Sequence, residues 1–207
     1  MIEAALEQAR SAWHACDAKK LLAGHRDEDD LVLFGRRFRA AGLSHTYKPA
    51  APRFGELFAP SAKRRLLVCV RRARMMRDRD DAAWWLGRAC HLLGDMAVPA
   101  RTRGVWHLYG DPLETFLESR TTEDLRAMLV PSSTTWPEDP AAIAETLARA
   151  SSELPADTTR TPWGKLAYER FGRGTRLDPE EVERQARIVV PLAVEATAAL
   201  MRAVRPA

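Results

Sequence analysis

Residues 84–118 read WWLGRACHLLGDMAVPARTRGVWHLYGDPLETFLE, and the fold is decided by how this stretch is read. It contains two of the five histidines, each four residues before an aspartate: His91 with Asp95, and His107 with Asp111. On a helix, positions i and i+4 lie one above the other on the same face. An imidazole and a carboxylate so placed can grip one metal ion, and zinc takes both ligand types. Two such pairs, separated by Pro99 and a loop bearing Arg101 and Arg103, point to metal chemistry more firmly than one. The first pair lies on a segment apolar on nearly every side, through Ala82, Ala83, Trp84, Trp85, Leu86, Ala89, Cys90, Leu92 and Leu93. A helix apolar all round is buried. Arg88, His91 and Asp95 are then polar groups on a central element and must be paired or metal-bound. This helix is expected to start at Asp80 or Asp81 and to end at Pro99. Asp111 stands directly before Pro112, which suits a first helical turn, so the alternative for Asp111 is a helix N-cap.

Working outward, the apolar spacing predicts an all-α protein folded as a single helical domain over residues 1–207, with no convincing strand, repeat or low-complexity segment. A first helix is expected over 2–23, stopped by Gly24. The acidic run Asp27-Glu28-Asp29-Asp30 that follows reads as a solvated turn or as a source of ligands. Residues 42–60, with Pro49, Pro52 and Pro60, are expected to be irregular. Ser61 is placed to cap a helix over 62–77. Its polar face (Lys63, Arg64, Arg65, Arg71, Arg72, Arg74, Arg77) reads first as the wet side of an amphipathic helix and second as a phosphate-backbone surface. Further helices are expected over 122–130, 139–153, 162–171 and 179–203, the last kinked or broken at Pro191.

Composition narrows the function classes. At 207 residues with 46% hydrophobic and 29% charged side chains, the chain can bury a substantial core. Its formal charge of +4 suits an anionic partner without requiring one. Three cysteines (Cys16, Cys69, Cys90) without a C-x-x-C exclude a cysteine zinc knuckle and a paired disulfide framework. Each falls in an apolar helical pattern, which implies packing. No apolar run approaches the roughly 18–20 residues of a membrane span. The N-terminus MIEAALEQARSAW has no h-region, so the chain as it stands is expected to be cytoplasmic.

The run Leu86-Gly87-x-x-x-His91-x-Leu-Gly94-Asp95-Met-x-x-Pro99 resembles the zinc-dependent phospholipase C family and the related single-strand-specific nucleases. Upstream, Ser44-His45-Thr46-Tyr47-Lys48-Pro49 is similar to that family's His-Phe-Tyr-Asp-Pro loop, whose histidine ligates zinc. Gly24-His25-Arg26-Asp27-Glu28-Asp29-Asp30 looks like the segment that supplies an aspartate to zinc and to the attacking water. The resemblance covers most of residues 10–115 and the C-terminal helix. It implies an all-helical phosphodiester hydrolase. One zinc site would be formed by His45, His91 and Asp95, with Asp29 or Asp30 as the fourth and catalytic member. His107 and Asp111 match two of three ligands of a second site. Its remaining histidine falls at Arg101, which cannot ligate. A guanidinium binds phosphate oxygens bidentately, so Arg101, with Arg103, is expected to bind the substrate's phosphate. The family's third site, built from an N-terminal tryptophan and a first-helix histidine, has no counterpart: the chain begins at Met1, and His14 lies too close to Asp29. The resemblance thus implies a third site lost either by divergence or by a shortened N-terminus; family members are secreted, and the second case would leave out a signal segment as well.

The function expected on this reading is hydrolysis of a phosphate ester (phospholipid or nucleic acid) by metal-activated water. Zinc fills one site and partly a second, and no obligate protein partner is implied. The alternative is a diverged, non-catalytic helical protein of the same fold retaining at most one metal site. A third reading is a nucleic-acid-binding module that uses the arginine face of the helix over 62–77.

Overall fold

In the computed structural model, residues 2–9, 13, 17–28, 30–33, 36–39, 47, 49, 61–105, 110–159 and 162–205 are described. The architecture is all-α. The described helices are α1 (Ile2–Ala9), α2 (Ala18–Asp27), α3 (Ala62–Met75), α4 (Arg79–Met96), α5 (Pro99–Arg103), α6 (Pro112–Glu118), α7 (Thr122–Ala127), α8 (Pro140–Ser152), α9 (Pro162–Phe171) and α10 (Pro179–Ala203). One small ribbon adds to them. Strand β1 (Asp30–Leu33) pairs antiparallel with β2 (Arg36–Arg39), Leu31 opposite Phe38. No strand was expected here. Four residues a side are too few for a period of two to stand out, and the acidic run extends into β1.

Side-chain caps set several helix starts. Ser61 accepts from the Arg64 N–H, Asp139 from Ala142 and Asp178 from Glu181. Asp78 accepts from the Asp81 N–H at 2.9 Å, so α4 opens at Arg79, just before the expected Asp80 or Asp81. Its other end also differs. The helix closes at Met96, and Pro99 opens α5 as its first residue. Pro191 neither breaks nor ends α10, which runs through to Ala203 as one helix. The carbonyl that loses its donor to proline belongs to Arg187, which is exposed and within reach of water.

Helix α4 is central, as its composition demands. Leu86, Leu92, Leu93 and Met96 are fully buried, with α2, α3, α8 and α10 packed around it. Each such side chain contributes about 1.5–3 kcal/mol relative to exposure. Helix α10 adds a long buried face from Val182 through Leu200 and carries α1 against it. Trp13, buried beside this face, donates its indole N–H to the Val204 carbonyl.

The first expected helix is two helices, and Gly24 does not stop the second. Gly24 lies inside α2, where an added Cβ would meet the Trp84 carbonyl oxygen at 1.9 Å. Across the contact, a Cβ on Gly87 would meet the Leu21 carbonyl oxygen at 2.0 Å. The two glycines let α2 and α4 cross main chain on main chain. Before α2, Asp17 turns its carboxylate to Arg79, which donates from Nε at 2.9 Å and Nη2 at 2.7 Å. That bidentate pair fixes the start of α2 to the start of α4.

Candidate metal and phosphate centre

The first histidine–aspartate pair is together. His91 Nε2 lies 3.4 Å from Asp95 Oδ2 on α4, with side chains 11% and 9% exposed. The edge of a zinc tetrahedron with bonds of about 2.0–2.1 Å is roughly 3.3–3.4 Å. These two donors are therefore spaced as neighbouring ligands of one ion, and their types fit zinc. The His25 ring, brought over by the glycine crossing, stands edge-to-face on His91 with centroids 4.8 Å apart.

The other Asp95 oxygen faces a cation. Arg101 Nε is 3.4 Å from Asp95 Oδ1 and 2.8 Å from Glu114 Oε1. Helix α5 is a single short turn closed by Gly104 in the left-handed region (φ 66°). It carries Arg101 between α4 and α6. Glu114 was not anticipated, although Asp111-Pro-Leu-Glu114 has the spacing of a capping box and marks Glu114 as a first-turn acid. Asp111 itself acts as the N-cap of α6, its Oδ1 accepting from Leu113 N–H at 2.8 Å and Glu114 N–H at 3.1 Å. The cap alternative is thus realised. Its expected partner His107 lies outside the described residues, so the second pair is not placed. Arg103 does not join Arg101. It is exposed and donates from Nη1 to the Ser152 and Leu154 carbonyls at 3.2 and 3.1 Å, closing the C-terminal end of α8.

His45 and Asp29 also lie outside the described residues, as does the Asp30 side chain, although Asp30 opens β1. Tyr47 is anchored. Its N–H donates to the Arg101 carbonyl at 3.3 Å, and its hydroxyl donates to Glu145 of α8. Lys63 of α3 joins the same carboxylate at 2.8 Å. Burial alone would raise the Glu145 pKa, but hydrogen bonds from Lys63, Tyr47 and Arg149 outweigh it and hold the carboxyl at about 2. For Lys63, burial works against the charge, yet the bond to Glu145 prevails and raises its pKa above 10.5.

The acidic run is no solvated turn at its described end. Asp27 accepts the Trp84 indole N–H at 2.9 Å. Glu28, with no exposed side-chain surface, takes both Arg65 of α3 and Arg88 of α4. Arg88 also lies over the Trp84 and Trp85 rings. The arginine face of α3 is correspondingly divided. Lys63 and Arg65 turn inward, Arg74 donates to the Ala203 carbonyl, and Arg64 and Arg71 remain on the surface. Cys69 and Cys90 are buried, and burial pushes both thiols up to about 12, in keeping with packing. Among the described residues, no three of His, Cys, Asp or Glu converge as a metal-holding group.

No protein-family model matches the chain, and no curated protein matches it in sequence. Solved structures do. The alpha-toxin of Clostridium absonum superposes with a TM-score of 0.62 at 16% identity, covering 91% of this chain and 54% of the toxin. The alpha-toxin of Clostridium perfringens from avian strain SWCP gives 0.59 at 16% identity, with the same coverage of 91% and 54%. The chain thus spans about half the length of the toxins it matches, and at that identity the likeness is one of fold.

Proposed function

We propose that this chain is a zinc-dependent phosphoesterase of the phospholipase C and nuclease type. The observation that carries the reading is the His91–Asp95 pair, two donors 3.4 Å apart on the central helix of an alpha-toxin fold. The shared fold and the motif resemblance agree on the superfamily at the level of fold. Zinc would be held by His91 and Asp95 together with His45 and Asp29 or Asp30. When bound, it lowers the pKa of a water and neutralises charge developing on the phosphodiester.

The protein's own residues do the rest. Asp29 or Asp30 accepts the proton of the attacking water. Arg101 holds Asp95 in place through one oxygen while the other oxygen faces His91. Its guanidinium stands where the family's second site would supply positive charge, and Glu114 orients it from the far side. Arg101 is the stronger candidate for substrate phosphate because it stands beside Asp95, whereas Arg103 is turned to the end of α8. His107 and Asp111 hold the second, weaker position, Asp111 through whatever its cap leaves for a metal. The substrate class is a phosphodiester, as phospholipid or nucleic acid.

The test is metal analysis with turnover. The purified chain should carry about one zinc and hydrolyse bis(p-nitrophenyl) phosphate, and His91→Ala should lose both. A zinc-free protein in zinc-supplemented medium, with His91→Ala melting like the parent, sinks the proposal. Arg101→His should raise zinc stoichiometry and weaken phosphate binding. Unchanged phosphate affinity removes Arg101 from substrate recognition.

One observation favours a second reading. The permanent charge of Arg101 already pairs with both Asp95 and Glu114 and offsets one of their two negative charges. An arginine network in the place of a metal cluster suits a diverged, non-catalytic member of the fold. Zinc bound without turnover of any phosphodiester supports that reading over the first.

A further inference from the structure

Helix α9 turns large aromatic side chains to solvent. None of its residues over 163–171 is buried. Trp163 is 81% exposed and Phe171 65%, eight positions apart and so on one face, two turns from each other. Its opposite face does not enter the core either. Lys165, Tyr168 and Glu169 line a cleft of about 1230 Å³ whose far wall is Thr115 and Phe116 of α6 and Val182 of α10.

The chain reaches α9 and leaves it through one clamp. Thr158 donates its N–H to the Thr175 carbonyl at 2.8 Å, and Thr175 donates its own N–H to Thr158 Oγ1 at 2.8 Å. Beneath them Asp157 is buried, its Oδ2 accepting from the Leu177 N–H at 3.2 Å and its Oδ1 from the Thr159 N–H at 2.8 Å. Residues 159–175 are therefore an excursion that returns to its point of departure, with α9 held out on it. Gly172, in the left-handed region at φ 60°, ends the helix with its N–H on the Tyr168 carbonyl at 3.0 Å.

The charge of this excursion is lopsided. Residues 159–175 contain Arg160, Lys165, Arg170 and Arg173 against Glu169 alone, an excess of +3 in a chain whose total is +4. Exposed tryptophan and phenylalanine on a short helix, flanked by cations, are the features of a segment that lies in a membrane interface plane. We propose that α9 is a docking helix for the surface of a bilayer containing anionic lipid, with Trp163 and Phe171 entering the headgroup boundary and the arginines meeting the headgroup charge. Nucleic acid shares the anionic charge but is disfavoured. Two rings two turns apart on a convex helix offer no groove for a strand to follow. The inference deepens the proposed function by naming the surface on which the substrate would be met, and rests on that function only for this consequence.

The experiment is co-sedimentation of the full chain with phosphatidylcholine vesicles, with and without phosphatidylserine, at low and high salt. Binding is expected to the anionic vesicles only and to weaken with salt. Trp163→Ala/Phe171→Ala should lose about tenfold in partitioning, and Arg170→Glu/Arg173→Glu a comparable factor. Because Trp163, Arg170, Phe171 and Arg173 are all exposed, these variants are expected to melt with the parent. Protection of Arg170 and Arg173 of the unsubstituted chain from trypsin by anionic vesicles is a second readout that needs no variant. Absence of binding, binding indifferent to the Trp163/Phe171 change, a Trp163-dependent dimer in sedimentation, or Trp163-dependent capture of single-stranded DNA without vesicle binding would each overturn the proposal. Chelation is expected to leave sedimentation unchanged, so loss of turnover and loss of docking are told apart.

Discussion

Glu28 has no exposed side-chain surface and holds two arginines from different helices. Removing one partner of a buried ion pair costs about 3–5 kcal/mol, because the other charge is left without compensation. Arg65 and Arg88 are 22% and 21% exposed and can partly reach water, so the lower end applies. Glu28→Gln should therefore cost about 3 kcal/mol and lower the melting temperature by roughly 6–12 °C in a chain of this length. An unchanged melting curve would show that the triad is not coupled to folding. Sequence reading placed Glu28 in an acidic turn because charge alone does not reveal which carboxylate faces inward. The same limit hid Glu114 and His25, whose importance depends on partners 13 and 66 positions away in the chain. His91 and Asp95 were legible because both members of that pair lie on one helix, where spacing alone brings them together.

At the scale of elements, the anchoring of the Tyr47 segment has a pH dependence. The Glu145 carboxyl is held at about 2 against an ordinary 4.5, so its contribution is complete above pH 4.5 and is lost as pH falls toward 2. Burial also acts against the charge of Glu195, but hydrogen bonds from Ser132 and Trp136 prevail and lower its pKa, tying residues 132–136 to α10. For a partly exposed network the effect is on the order of 1 kcal/mol. The hydrogen-exchange protection factor at Tyr47, taken relative to intrinsic amide exchange at each pH, should fall between pH 4.5 and 3, and Glu145→Gln should bring that lower protection to neutral pH. A protection factor at Tyr47 that is flat across this range in the parent chain would contradict the assignment. The long helices from residue 61 onward were readable because caps and prolines mark their starts, as at Ser61, Asp139-Pro140 and Asp178-Pro179, whereas α5 was not, because Pro99 reads equally as the end of one helix and the start of the next. The division between α1 and α2 was not, since Asp17 turns there to meet Arg79, a contact no local pattern announces. The hairpin was missed for want of length.

Across the whole molecule, stability is unevenly spread. The contiguous core runs from α1 to α10 and takes in most of α4, whereas α9 places no residue in it. Backbone that few buried contacts protect is where proteolysis starts. Limited trypsin treatment should cut first at Lys165, Arg170 and Arg173, leaving fragments that stay associated through α8 and α10. Early cleavage inside α4 instead would mean that the core is not the most stable part. No helix among the described residues is long and apolar enough to cross a membrane. The chain accounts for only about half the length of each toxin it matches.

The crossing of Gly24 over Gly87 has a mechanical consequence. Where side chains separate two helices, a core substitution is absorbed by new rotamers and the helices drift by fractions of an ångström. Here no side chain lies between them, and the spacing is set by carbonyl oxygens that cannot be trimmed or rotated away. The distance from the end of α2 to His91 thus behaves as a fixed gauge. The leucines around it can be exchanged for other aliphatics while the gauge holds, but a single methyl group at either glycine resets it.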